Sequence, residues 1–482
     1  MIPPGRPRGQ PSRALYEHSS PAGASPGAGP ARRPTRVGLP VRRSSRLKSF
    51  AKWVESCRTR DLEGGGGLKR SFLSDLFSRE LFRYLGPGFI VTIGFIDPGN
   101  WATNLAGGSQ FGYALLWVIT LSTLMLIFLQ HVAARLGIVT GASLAVNVRN
   151  HFPRPLVVLF GGTMVPALIA TSLAEILGGA LGFQILFHIP LLLGAPLTLA
   201  LVVLAILGQR YDQLERLIIV FLAFIAAAYI VEIFIVRPDM AAAAPDWVIP
   251  SFPAGSIVIA MGMLGAIVMP HNIYLHSNTI QSREWDFGGN DQTRLMRYEL
   301  IDTSLSMGMG WLVNSAMILV AAAVFYSHGI KVTSIQQAAA TLRPLVGPFS
   351  QFLFGLALLV AGLSSSITSS LATANVVTGY LGKPEDPHSR LYRFGMVVMA
   401  APAVLLIMIG LNAYRALILS QVVLSLQLPL TIIPLLILTR RRSVMGDLRS
   451  GNRTMVSGWL LAAIIIGLNV FLLYQAFFPK GL

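Results

Sequence analysis

The chain has 482 residues, of which 53% are hydrophobic and only 12% charged, with 38 Lys+Arg against 21 Asp+Glu and a net charge of +17. A soluble globular chain carries roughly 25% charged residues. A mean hydropathy of +0.62 and apolar runs such as Tyr113 to Gln130 and Met455 to Tyr474 require a bilayer as solvent, which excludes a soluble multidomain enzyme.

The basic balance does not point to nucleic acid, because the positive charge falls in the N-terminal tail and alternate loops, where topology accounts for it. The single cysteine, Cys57, permits neither an internal disulfide nor a thiolate metal cage.

Residues 1–80 are rich in Pro, Gly, Ser and Arg, are interrupted by Gly64 to Gly67, and carry Glu17 as their one acidic residue up to Lys48. This composition predicts a disordered basic cytoplasmic tail. An organellar transit peptide is a competing expectation for the same pattern.

From Gly86 onward eleven candidate spans follow, centred near residues 98, 124, 172, 199, 226, 267, 314, 362, 401, 427 and 466. An odd number puts the termini on opposite sides. The loops with Arg135/Arg149/Arg154, Arg210/Arg216, Arg283/Arg294/Arg297, Arg390/Arg393 and Arg440/Arg441/Arg442 share the side of the basic tail, and the loop with Asp239 and Asp246 lies opposite. The positive-inside rule then places the N-terminus in the cytoplasm and the C-terminus across the membrane.

Two spans carry breaks, the first at Asp97-Pro98-Gly99-Asn100 and the sixth at Met269-Pro270-His271-Asn272. Proline removes a donor and clashes with the preceding turn, so Pro98, Gly99 and Pro270 should open both helices near the midplane. Breaks five spans apart are the mark of two inverted five-span repeats, here residues 86–238 and 254–440 within a transporter domain of 86–482, followed by an extra helix at 455–478.

Asp97 is a charge deep in an apolar run, at a cost of several kcal/mol by insertion scales. Its structural role would be to cap the helix from Trp101 onward, a task that Asn100 could also perform. Asp97 and Asn100 offer hard oxygens, and the opened backbone can add carbonyls such as that of Gly94, which suits Na⁺, Mg²⁺, Ca²⁺ or Mn²⁺ equally. Met269 beside the other break shifts the expectation toward softer transition metals, although a methionine in an apolar span is usually a packing residue.

His271 and His276 on the sixth span can relay protons or simply hydrogen-bond. Glu175 in the third span is a second intramembrane carboxylate and a candidate proton acceptor. Glu232 lies near a helix end and reads as structural.

Together these segments resemble the Nramp family (natural resistance-associated macrophage proteins) from about Gly86 to the C-terminus. The resemblance is carried by Gly86-Pro87-Gly88-Phe89 leading to the Asp-Pro-Gly-Asn break, by Phe111-Gly112-Tyr113 and Leu115-Leu116-Trp117, by Leu136 to Gly141, and by Met269-Pro270-His271-Asn272 followed by Tyr274-Leu275-His276-Ser277. It implies an all-α integral membrane protein with a LeuT-type inverted repeat, 5+5 helices plus one, in which helices 1 and 6 are broken.

The resemblance further implies Asp97, Asn100 and Met269 as side-chain metal ligands, Ala266 as a carbonyl ligand, and Gln427, within Ser420 to Pro429, as a ligand in some conformations. It puts His271, Glu175 and Arg283 on a proton pathway. Ser172 stands where many members have the Asp of Asp-Leu-Ala-Glu, which removes one carboxylate from that route.

The function expected is import of divalent metal, Mn²⁺ or Fe²⁺, by proton symport with alternating access in the plasma (inner) membrane. The metal and the proton are cargo, and no resident cofactor, nucleic acid or obligate protein partner is expected. The competing readings are an Mg²⁺ or Na⁺-coupled amino-acid transporter of the same fold, or a metal sensor that does not transport. No HExxH or GxSxG pattern supports an enzyme.

Overall fold

The computed structural model describes residues 87–94, 96–208, 211–282, 292–386 and 389–477. The tail of residues 1–80, with Cys57, and Arg283 lie outside the described residues. Secondary structure among the described residues is helical, as expected where no water is available to satisfy an open strand edge.

In chain order the helices are α1 (Pro87–Gly94), α2 (Pro98–Phe111), α3 (Leu116–Thr140), α4 (Leu144–His151), α5 (Arg154–Phe187), α6 (Leu191–Gly208), α7 (Tyr211–Val236), α8 (Ile257–Ile267) and α9 (Pro270–Thr279). They continue as α10 (Gln292–Val324), α11 (Ile335–Val346), α12 (Pro348–Leu381), α13 (Arg390–Val398), α14 (Ala400–Met408), α15 (Ala413–Arg440) and α16 (Asn452–Phe477).

Among the described residues, 8 segments are long and apolar enough to cross a membrane, and they include Ile257–Thr279 as one segment. Leu191–Ile206 and Ala223–Val236 are apolar but shorter. The first candidate span is divided into α1 and α2, of 8 and 14 residues, so neither piece reaches spanning length alone.

The two interrupted segments lie against each other. The first piece α1 packs on the second piece α9, and α2 packs on α8, which is an antiparallel arrangement. Around them α5 and α12 form an extensive helix pair. Small residues let their backbones meet: a Cβ on Gly362 would lie 2.3 Å from the Gly179 nitrogen, and one on Gly182 would lie 2.6 Å from the Leu359 Cα. In lipid such close packing replaces the hydrophobic drive between helices.

The last helix, α16, is peripheral, with only 28% of its most apolar stretch buried. It is held to α15 by Asn469, which donates to the Ser425 carbonyl at 2.8 Å and accepts from the Ser425 hydroxyl at 3.1 Å. Interhelical polar contacts of this kind are worth about 0.6 kcal/mol on average in membranes.

Candidate functional site

The site is built where the chain leaves helical geometry. Asp97 caps α2 with extended backbone, at φ −72° and ψ 163°. Its Oδ2 accepts from the Gly99 amide at 3.0 Å and its Oδ1 from the Asn100 amide at 3.0 Å. The cap is therefore Asp97, and Asn100 lies in the first helical turn, which corrects the alternative of an Asn100 cap. Pro98 at the start of α2 needs no donor there.

The Asn100 side chain ties the two interruptions together. Its Nδ2 donates to Asp97 Oδ1 at 2.8 Å and to the Ala266 carbonyl at 2.9 Å. Ala266 sits at the end of α8, where Val268 departs from helical geometry at φ −93°, ψ 68° and Met269 begins α9 with extended backbone. Two oxygen acceptors from different helices thus converge on one donor group.

Met269 has other neighbours. Its sulfur accepts from Asn272 Nδ2 at 3.5 Å, and its side chain is packed with Ala167 and Leu424. Asn272 also lies against the end of α1, where a Cβ on Gly94 would come within 2.4 Å of Asn272 Nδ2. Glycine at that position lets the two broken segments approach.

Gln427 is buried on α15 and accepts from the Thr431 hydroxyl at 2.8 Å. The α15 side chain that reaches Asp97 is Gln421, whose Nε2 donates to Asp97 Oδ2 at 3.2 Å. Gln421 lies six residues, or about 9 Å of helix rise, before Gln427. It packs so closely over the break that a Cβ on Gly99 would lie 1.7 Å from its Nε2. The sequence offered two glutamines in one helix, and only the packing of α15 on α2 distinguishes them.

The titratable groups around the site follow one face of α5. Thr171 donates to, or accepts from, His271 Nδ1 at 3.2 Å. Glu175, one turn further along, accepts from the Ser369 hydroxyl of α12. Gly178 then backs onto Pro98, where a Cβ would lie 1.9 Å from Pro98 Cγ. Glu175 Oε1 and His271 Nε2 are buried with no hydrogen-bond partner. Ser172 is buried beside them, and the neighbouring Thr171 supplies the contact to His271. His276 lies five residues beyond His271 on α9, facing Gln130 Oε1 at 2.9 Å.

Asp97, Asn100, Ala266, Met269, His271, Glu175 and Gln421 are all buried, so the site is closed to solvent. Chemically, the amide donors of Asn100 and Gln421 occupy positions around the Asp97 carboxylate and Ala266 carbonyl that a cation would take. A half-turn of either carboxamide exchanges its nitrogen for its oxygen, converting donors into ligands for an ion held by the same acceptors.

Fold and site define an all-helical integral membrane protein with a buried polar centre at two paired helix interruptions. A family model described as "Natural resistance-associated macrophage protein-like" matches residues 88–475, and the chain belongs to this Nramp family. It is 40% identical over 399 residues to the "Divalent metal cation transporter MntH" of Caldanaerobacter subterraneus subsp. tengcongensis, covering 82% of this chain and 94% of that one.

Among solved structures, it resembles the Eremococcus coleocola manganese transporter in complex with an aromatic bis-isothiourea substituted compound. The TM-score is 0.71 at 28% identity, covering 87% of this chain and 91% of the other. The fold is also that of Mhp1, a nucleobase-cation-symport-1 family transporter, with a TM-score of 0.54 at 15% identity over 82% of this chain and 94% of the other.

Proposed function

We propose that this protein is a secondary transporter that imports divalent transition metal, Mn²⁺ or Fe²⁺, in symport with protons. The convergence of Asp97 Oδ1 and the Ala266 carbonyl on a single buried donor, Asn100 Nδ2, carries this reading. Similarity to a divalent metal cation transporter and a manganese transporter supports it.

The ion exchanges part of its hydration shell for Asp97, Asn100, the Ala266 carbonyl, Met269 and Gln421, with Gln427 entering only if α15 shifts. Met269 supplies the one soft donor, which favours Mn²⁺ or Fe²⁺ over Mg²⁺ and Ca²⁺. Glu175 and His271 take the accompanying proton, using the buried Oε1 and Nε2 atoms that have no hydrogen-bond partner. Arg283 belongs to the same route as an expectation from the family resemblance.

Eleven spans in an inverted 5+5 arrangement with helices 1 and 6 broken, the N-terminus cytoplasmic, give a rocking transporter around a fixed site. The repeats are residues 86–238 and 254–440, with 455–478 as the added helix and residues 1–80 outside the transport machinery.

The test is Mn²⁺ uptake into proteoliposomes with simultaneous measurement of internal pH, with and without an imposed pH gradient. Acidification that tracks metal entry is the expected result. Metal entry without proton movement would reduce the protein to a uniporter, and absence of metal entry would overturn the reading altogether.

A further inference from the structure

A second buried set of titratable groups spans α3, α9 and α10, away from the helix interruptions. Glu299 of α10 is 2% exposed. Its Oε2 faces His131 Nδ1 of α3 at 2.5 Å, and its Oε1 accepts from the Thr303 hydroxyl at 2.8 Å. His276 of α9, fully buried, points Nε2 toward the same Oε1 at 4.0 Å. The His131 side chain is 22% exposed, and the Arg135 guanidinium one turn beyond it interacts electrostatically with Glu299.

The hydrogen-bond roles leave a proton missing. The Gln130 amide is oriented with its Oε1 2.9 Å from His276 Nδ1; in this orientation the oxygen only accepts, which assigns the hydrogen of the neutral ring to Nδ1. Nε2 then presents a lone pair toward a carboxylate oxygen and has no hydrogen-bond partner. Thr303 and His131 already serve Glu299, so a purely structural carboxylate has no need of His276. One added proton, on Nε2 or on the carboxylate, turns this juxtaposition of two acceptors into a donor and an acceptor.

We propose that Glu299 and His131 carry protons between His276 and the cytoplasmic side, extending the proton route of the transporter; this rests on the symport reading above. At rest the proton shared between Glu299 Oε2 and His131 Nδ1 belongs to the carboxyl, and the neutral His131 ring carries its hydrogen on Nε2. As the proton on His276 Nε2 passes to Glu299 Oε1, the Oε2 proton moves to His131 Nδ1 and the ring releases its Nε2 proton to water, so one proton enters and one leaves; rotation of the carboxyl and of the imidazole restores the starting state. The 4.0 Å gap exceeds a working hydrogen bond by about 1 Å. Transfer therefore requires α9 and α10 to approach, and α9 is the helix that begins at the Met269-Pro270 interruption, so proton release is linked to its movement.

The experiment measures internal pH and Mn²⁺ entry together in proteoliposomes for wild type, Glu299→Gln, Glu299→Asp, His131→Ala and His131→Gly. Glu299→Gln keeps an acceptor for Thr303 but cannot carry a proton, and should lower proton entry per Mn²⁺ by roughly tenfold or more, a conservative figure against the ~10²–10⁴ contributed by positioned proton carriers. Glu299→Asp should restore much of it, and His131→Ala should behave as Glu299→Gln. Imidazole added to the cytoplasmic-side solution should rescue His131→Gly, which loss of packing alone would not predict.

Wild-type proton entry per Mn²⁺ in both Glu299→Gln and His131→Ala would overturn the relay while leaving the symport reading intact. Absence of coupled protons in wild type would overturn the symport reading and the relay with it. If Glu299→Gln does not fold, the variants at the partly buried His131 decide the question by the same criterion.

Discussion

Asp97 caps α2, and under the proposed function it also binds the metal; replacing it separates the two roles. Its carboxylate caps α2 through the Gly99 and Asn100 amides and accepts from the Asn100 and Gln421 side chains. Asp97→Asn retains an oxygen for the cap and removes the charge; Asp97→Ala removes both. At an effective dielectric of about 20 and a metal–oxygen distance of about 2.2 Å, one carboxylate charge attracts a divalent ion by about 15 kcal/mol. Even if solvent and the remaining ligands recover nine-tenths of this, about 1.5 kcal/mol is lost, a tenfold weaker affinity. Both variants lack the charge, so their difference in stability isolates the cap, about 1 kcal/mol.

Mn²⁺ uptake in proteoliposomes and thermal melting in detergent report the two roles independently. Uptake should fall at least about tenfold in both variants, in line with that loss of affinity, and Asp97→Ala should melt below Asp97→Asn. Asp97→Asn retaining more than half of wild-type uptake would refute the ligand role. Coincident melting of the two variants would refute the cap assignment.

Three further outcomes are expected. Met269→Ala should keep some Mn²⁺ transport while Mg²⁺ and Ca²⁺ compete better, because it removes the one soft donor; unchanged competition in uptake assays would show that the thioether is not the filter. Gln421→Ala should weaken Mn²⁺ binding measured by calorimetry more than Gln427→Ala, since only Gln421 reaches Asp97, and the reverse order would assign the ligand to Gln427.

Glu385, in the segment after α12, accepts from Ser143 and Asn278, each at 2.6 Å. Burial raises its pKa above the ordinary carboxylate value, opposed by these two hydrogen bonds. A raised folded-state pKa means that its contribution to stability is present at acid pH and is lost as pH rises through the folded-state value. The melting temperature of Glu385→Gln relative to wild type should therefore increase between mildly acid and neutral pH, and parallel pH profiles would exclude this linkage.

Much of the organisation is legible in the residues because a bilayer leaves the chain few choices. Long apolar runs predict the helices, and eight of the candidate positions fall in segments of spanning length. Asp97-Pro98 and Met269-Pro270 mark the interruptions because proline cannot donate to the preceding turn. The breaks in turn pick out Asp97 and Asn100, the family resemblance adds Ala266, and the structure brings the three together through one side-chain amide.

What lies between helices was less accessible. Gln421 and Gln427 occupy one apolar run with nothing local to distinguish them, and Met269 sits among Asn272, Ala167 and Leu424 rather than in the hydrogen-bonded cluster around Asp97. No local pattern marks Glu299 or His131, which lie 168 positions apart in the chain. The 2.5 Å contact between them exists only once α3 lies against α10.

The sequence by itself determined the solvent, the helices and the places where they must open, because hydropathy and proline act over a few turns of chain. The tertiary structure alone decided which side chains share a donor, a sulfur contact or a proton, because those relations depend on helix rotation and sub-ångström approach. Glycines such as Gly99 and Gly94 permit that approach, and no local pattern encodes it.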